Sequence, residues 1–200
     1  SYVNVVPMVK VEKLKKEEKS QEKSKIPTEY LQLDSGAVFI KDKMKTKIDQ
    51  KQLEIYRLLK FPLMEGMFVT ENPTHPDKLA GFDILKTKTS HKLTMENGKY
   101  KMKYKVDIRV VLVEGQDGIE VNNKKIVEKL KEDLKNSLTQ RAMSLYKDMK
   151  KDGIDIFDIK RDIEIAYPEH KIENPLDVTD FEVEMNIVID GLGVLKESYF

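Results

Sequence analysis

The chain has 200 residues, enough for one sizeable core or two small ones, and its 36 Lys and Arg nearly cancel its 35 Asp and Glu. A formal net charge of +1 leaves no excess of cations to neutralise phosphates, which argues against sequence-independent nucleic-acid binding. With no cysteine there are no disulfides, thiolate metal sites or cysteine nucleophiles, and no apolar run approaches the roughly 18 residues needed to cross a bilayer.

The start, Ser1-Tyr2-Val3-Asn4, lacks the basic and apolar regions of a signal peptide, so the chain reads as soluble or as the ectodomain of something anchored. Lys10 to Lys25 is almost all Lys, Glu, Ser and Gln, with Val11 and Leu14 its only apolar residues, and is expected to be a solvated loop or a charged docking tail. The apolar run Gly36–Ile40, the polar turn Lys41-Asp42-Lys43 and the segment through Met44 and Ile48 predict a small hairpin. Asp49 stands three residues before Gln52, a capping-box spacing, and Leu53, Tyr56, Leu58 and Leu59 follow at helical intervals. A helix is therefore expected from about Gln50 to Lys60, ending before Pro62. Between Glu71 and Pro76 the two prolines of ENPTHP suggest a linker, dividing the chain into a smaller unit at 1–72 and a larger one at 77–200.

Asn97-Gly98 is a strong hairpin signal, because both residues tolerate the positive φ of a type I′ turn. Beyond it Tyr100, Met102, Tyr104, Val106 and Ile108 alternate with Lys101, Lys103, Lys105, Asp107 and Arg109, a long strand with one buried face. Pairing Glu96 with Lys99 sets Met95, Leu93 and His91 opposite Tyr100, Met102 and Tyr104. The run Val110–Val113 is apolar on both faces, which predicts a covered or central position. From Asn123 to Lys151 apolar residues recur every three or four positions, with Asn122 or Asn123 as N-cap and Gly153 as the stop. One helix of about 42 Å should result, lying across the sheet. Short strands are expected at Ile163–Ala166 and, more clearly, from Phe181 to Ile189. The fold class is α+β: a small hairpin-plus-helix domain, and a larger antiparallel sheet with one long amphipathic helix packed on it.

Three local signatures point to a known family. Gly36-Ala-Val-Phe-Ile-Lys-Asp-Lys-Met is similar to a Gly-x-Ala-x-Phe hairpin; Asp155-Ile156-Phe157 follows the long helix; and Phe181-Glu-Val-Glu-Met-Asn-Ile-Val-Ile-Asp-Gly-Leu-Gly resembles a closing strand with a glycine. From about Val6 to Gly193 the chain resembles the second and third domains of the lipoprotein C subunit of spore germinant receptors, the Ger(x)C family. It departs from that pattern in carrying Asp158 where the family has glycine, in lacking tryptophan, and in lacking the lipobox cysteine and the first domain. The resemblance implies a non-catalytic lipoprotein on the outer face of the spore inner membrane. It would act with integral membrane subunits of a receptor that responds to small nutrients, with no cofactor and no nucleic acid. Asp155, Phe157 and Asp158 become candidates for partner contact, although Phe157 is better explained as an anchor packing under the sheet, and only an exposed ring would suggest a contact.

Other chemistry finds little footing in the residues. His75, His91 and His170 fall in a linker, on a strand and in a loop, without the spacing of a metal pair. Asp152, Asp155 and Asp158 could bind a cation or do acid–base work, but lack the loop pattern of a calcium hand and read first as turn and cap formers. No Walker loop or Gly-x-Ser-x-Gly occurs, and Gly191-Leu192-Gly193 has no helix after it. Three readings remain: an assembly subunit, a small-ligand sensor with its groove between the two units, and a hydrolase using aspartates near Asp155.

Overall fold

A computed structural model describes residues 3–13, 29–75, 77–115, 119 and 123–192. The chain divides into two compact units, Ser1–Glu54 and Ile55–Phe200.

The first unit is a three-stranded antiparallel sheet in the order β1-β2-β3, with β1 at Val3–Lys13, β2 at Glu29–Ile40 and β3 at Lys43–Asp49. The predicted hairpin is β2–β3, turning at Lys41, whose φ is 58°. The charged segment was expected to be solvated from Lys10 onward, but Lys10–Lys13 belong to β1; residues 14–25 lie outside the described residues. Gly36 allows the strands to close: a Cβ there would stand 2.9 Å from Ile48 Cγ1 and 3.1 Å from Val5 Cγ1. Val38, Ile48 and Leu53 are fully or almost fully buried. Helix α1, Gln50–Lys60, begins with the predicted capping box. The Asp49 amide donates to Gln52 Oε1 at 3.0 Å and the Gln52 amide to Asp49 Oδ1 at 2.7 Å, so two orphan amides of the first turn are satisfied reciprocally.

The second unit is a four-stranded sheet in the order β4-β5-β6-β7, formed by Met67–Glu71, Leu79–Glu96, Lys99–Gly115 and Thr179–Leu192. The Asn97-Gly98 turn has φ of 51° and 77°, and the pairing runs Glu96 to Lys99, Met95 to Tyr100, Leu93 to Met102 and His91 to Tyr104, the register expected from the sequence. The central strand β6 buries Tyr100 through Leu112 at alternate positions. Two expectations are corrected here. The units divide between Glu54 and Ile55 rather than at 72–77, because β4 pairs with β5 and belongs to the larger sheet. The segment read as a linker is the tight β4–β5 connection, in which buried Asn72 accepts from the Thr74 amide at 3.0 Å and from its hydroxyl at 2.7 Å. The sheet is also mixed rather than antiparallel, since β6 and β7 run parallel. A crossover of this length, carrying a helix, is what parallel neighbours require.

That crossover contains α2, Lys124–Lys151, capped by Asn123, whose side chain accepts from the Lys125 amide at 3.1 Å; Asn122 lies outside the described residues. Leu130, Leu134, Leu138, Ala142, Leu145, Tyr146 and Met149 form its buried stripe, which meets β7 and β4 at the two margins of the sheet. Each buried leucine contributes about 2 kcal/mol of transfer free energy before chain entropy is counted. The helix stops in a Schellman turn: Gly153 has φ 65°, the Ile154 amide donates to the Met149 carbonyl and the Gly153 amide to that of Lys150. The short strand expected at Ile163–Ala166 is instead helix α3, Ile159–Ala166. Its alternation misled: Ile159 and Ile163, four apart, are buried, while Ile165 is 69 % exposed. No helix among the described residues is long and apolar enough to cross a membrane.

Candidate functional site

The residues expected at a partner surface sit in the turn between α2 and α3. Asp155 is half-buried and acts as the cap of α3 from four residues upstream. Its Oδ1 accepts from the Ile159 amide at 3.0 Å and its Oδ2 from the Lys160 amide at 2.8 Å. Burial raises its pKa above the usual carboxylate value, and the two amides act against that shift. With both oxygens committed to backbone donors, Asp155 is placed to hold the turn.

Asp158 has φ 60° and ψ 29°, a left-handed conformation that glycine enters freely and Asp and Asn tolerate. The Asp158 carboxylate meets Lys60 Nζ at 2.6 Å, tying the turn to the end of α1; its side chain is 44 % exposed, that of Lys60 20 %. Asp152, the C-cap of α2, is exposed.

Phe157 does not reach the surface. It is 1 % exposed and packs among Phe181, Tyr104 and Tyr146, with ring centroids at 5.1, 6.1 and 6.2 Å. Tyr146 and Phe181 stack at 4.4 Å with planes 7° apart, and the Tyr146 hydroxyl donates to the Thr179 carbonyl at 2.8 Å. Burial pushes the Tyr146 phenol up to about 12 and raises that of Tyr104 as well, with Asp162 and Asp155 adding to the latter. Tyr104 Oη is buried without a hydrogen-bond partner among the described residues. The cluster draws one residue from each of β6, α2, the turn and β7. In the sequence it was announced by the inward alternation of Tyr104 and Phe181 and by the reading of Phe157 as an anchor under the sheet.

The histidines are dispersed. His91 on β5 has Nε2 2.9 Å from Asp162 Oδ2 on α3, and its ring lies 5.2 Å from that of Tyr104. His170 Nδ1 bonds the Tyr100 hydroxyl, and its ring stacks on Tyr167. His75 follows the Asn72 turn. Among the described residues no three His, Cys, Asp or Glu side chains are arranged to hold a metal ion.

The outer face of the larger sheet is charged. Lys101–Glu182 and Lys103–Glu184 pair at 2.8 Å and Arg109–Asp190 at 2.7 Å, while Asn186 donates to Asp107 at 2.9 Å. The pairs raise the pKa values of Lys101, Lys103 and Arg109 and lower that of Glu184, in each case chiefly through the hydrogen bond. Near the β5–β6 turn a small polar cleft of about 210 Å³ is lined by Glu96, Asn97, Lys99, Tyr100, Lys101, Asp180 and Glu182.

Taken together, the mixed sheet under one long crossover helix, the buried aromatic knot beneath the α2–α3 turn and a charged outer face define an α+β protein. The family described as "Spore germination B3/ GerAC like, C-terminal" matches residues 34–193, and the chain belongs to it. Among solved structures, one described as "Crystal Structure of the GerBC protein" superposes with a TM-score of 0.66 at 15 % sequence identity, covering 94 % of this chain and 57 % of that one. The likeness establishes the fold, and this chain spans little more than half the length of that structure. No curated protein matches the chain.

Proposed function

We propose that the chain is part of the C subunit of a spore germinant receptor. It is a non-catalytic, extracytoplasmic component required for nutrient-triggered germination, and it works by assembling with the receptor's integral membrane subunits. The observation that carries this reading is the family match over residues 34–193, supported by the shared fold with GerBC. In the full-length protein an N-terminal lipid anchor holds the subunit to the outer surface of the spore inner membrane, and small nutrients act on it only indirectly.

The α2–α3 turn is the place we propose for partner contact. Asp158 is its accessible member, Asp155 fixes the backbone, and Phe157 supports the turn from beneath.

The test is co-purification of the full-length, anchored protein from spore membranes, comparing wild type with Asp158→Asn, which keeps a side chain able to hold the left-handed backbone. Recovery of two integral membrane receptor subunits with the wild type, and a several-fold lower yield with the variant at unchanged thermal stability, is the expected result. Recovery of no membrane partner by the wild type, while the isolated chain binds a nutrient directly, would replace assembly with the sensor reading.

A further inference from the structure

The turn end of the β2–β3 hairpin joins a collar of cations to an apolar tip. Between residues 41 and 47 the chain carries Lys41, Lys43, Lys45 and Lys47 against the single carboxylate of Asp42, and all four lysines are exposed. Four lysines less one aspartate leave a local charge of +3, in a chain whose total is +1. The strand pairing does not answer these cations. Lys13 on β1 stands opposite Glu29 and Lys101 on β6 opposite Asp180, whereas Lys43 and Lys47 stand opposite Ile40 and Ala37.

The register gathers apolar groups at the same end. Lys41 and Asp42 form the turn, Phe39 pairs with Met44, and across β2 the start of β1 sets Val3 beside Ile40. Met44 is 44 % exposed, and Val3, Phe39 and Ile40 are partly exposed behind it. A register shift between Val38 and Phe39 places Lys45 in a bulge, so Lys43 and Lys47 fall on opposite faces of the hairpin. The cations therefore surround the tip instead of lining one side of it. Their long apolar stems let the ammonium groups reach past the tip on either face.

We propose that this hairpin end docks on an anionic lipid bilayer, with Met44 entering the headgroup region and Lys41, Lys43, Lys45 and Lys47 around it on the lipid phosphates. An acidic protein surface would satisfy the lysines but set Met44 against charge. A bilayer offers phosphate and, just beneath it, hydrocarbon, which matches both parts of the tip. Each basic residue near an anionic surface contributes roughly fivefold in partitioning, so a net charge of +3 gives weak, reversible binding. The contact uses this hairpin alone and is independent of the one proposed at the α2–α3 turn.

The experiment is flotation of the chain with vesicles of phosphatidylcholine alone or with about 30 % phosphatidylglycerol, at roughly 20 mM and roughly 500 mM salt. The wild type should float with the anionic vesicles at least about fivefold better than with the neutral ones at low salt, and lose that binding at high salt. Lys43→Glu with Lys45→Glu should weaken binding about tenfold or more, and Met44→Asp several-fold. Lys124→Glu with Lys125→Glu makes the same change of charge in the exposed first turn of α2 and should weaken it less than about threefold. Thermal melting checks that the variants are folded; if the hairpin reversal melts early, Lys43→Gln with Lys45→Gln takes its place, with a loss of about fivefold expected. A wild type that does not float with anionic vesicles, floats equally with neutral ones, or loses as much from the α2 pair as from the hairpin pair overturns the inference. So does capture of the chain by immobilised polyglutamate when anionic vesicles leave it behind, since the hairpin then belongs to an acidic protein partner.

Discussion

Replacing Phe157 with alanine separates a buried support from a contact residue. The ring is 1 % exposed and touches three other aromatic rings, so truncation removes a large apolar side chain and leaves a cavity that the stacked Tyr146 and Phe181 are poorly able to fill. Phe→Ala changes in cores cost about 3–5 kcal/mol, and each aromatic pair adds of order 1 kcal/mol beyond area alone, which places this site near 4 kcal/mol. Urea unfolding followed by tyrosine fluorescence and far-UV circular dichroism is the assay. With a slope of about 2 kcal/mol per molar, the midpoint should fall by about 2 M. Phe157→Leu, which keeps most of the volume, should cost less than about 1.5 kcal/mol. A loss under about 1.5 kcal/mol for the alanine variant refutes the packing argument. Were that small loss joined to failure to recover membrane partners, Phe157 would have to be reached from outside.

Asp49→Ala removes one half of the capping box of α1 and should cost about 1 kcal/mol in the same unfolding experiment, whereas no change would mean that the reciprocal bonds with Gln52 contribute nothing. Asp155 has a folded pKa raised above its unfolded value, so the folded state binds its proton more tightly. That contribution is fully present below the unfolded pKa and is lost as pH rises through the folded one. Stability of the wild type relative to Asp155→Asn should therefore fall as pH is raised from the ordinary carboxylate range, and a difference that grows with pH contradicts the assignment of burial as the main cause. Tyr104→Phe deletes a buried hydroxyl that meets no partner among the described residues and should leave stability unchanged or raise it by up to about 1 kcal/mol; a loss of that size would show the hydroxyl to be satisfied.

Much of this fold could be read from local chemistry. The Asn97-Gly98 turn fixed the register of β5 against β6 to the residue from Glu96 back to Lys86, and the spacing of Asp49 and Gln52 located the start of α1, because both depend on local interactions. The misreadings share the opposite cause. Ile163-Glu164-Ile165 alternates like a strand; what makes it helical is the Asp155 carboxylate four residues before Ile159 and a partner surface for Ile159 and Ile163. Strand β1 was obscured by Pro7 and by the lysine-rich stretch into which it runs, and its pairing with β2 joins segments on either side of that stretch. β4 was assigned to the wrong unit because the prolines after it looked like a linker, while its partner β5 lies beyond them. At the α2–α3 turn, Asp155 as a turn former was legible. Phe157 as an anchor under the sheet was legible too, but its particular neighbours Tyr104, Tyr146 and Phe181 are brought together only by the tertiary fold.

The parallel pairing of β6 with β7 also sets a timetable. Arg109 and its partner Asp190 are 81 residues apart in the chain, so during synthesis β6 is complete long before the strand that will cover its edge exists. The β5–β6 hairpin can form at once, but the sheet can close only after α2 and the α2–α3 turn have been made, and loop closure of that length is slow. Throughout that interval the open margin of β6 displays Lys101, Lys103 and Lys105 on one face. Cations on an exposed strand discourage pairing with a neighbouring nascent chain. Lys101 and Lys103, which later bind Glu182 and Glu184, thus guard the half-made sheet until its last strand arrives.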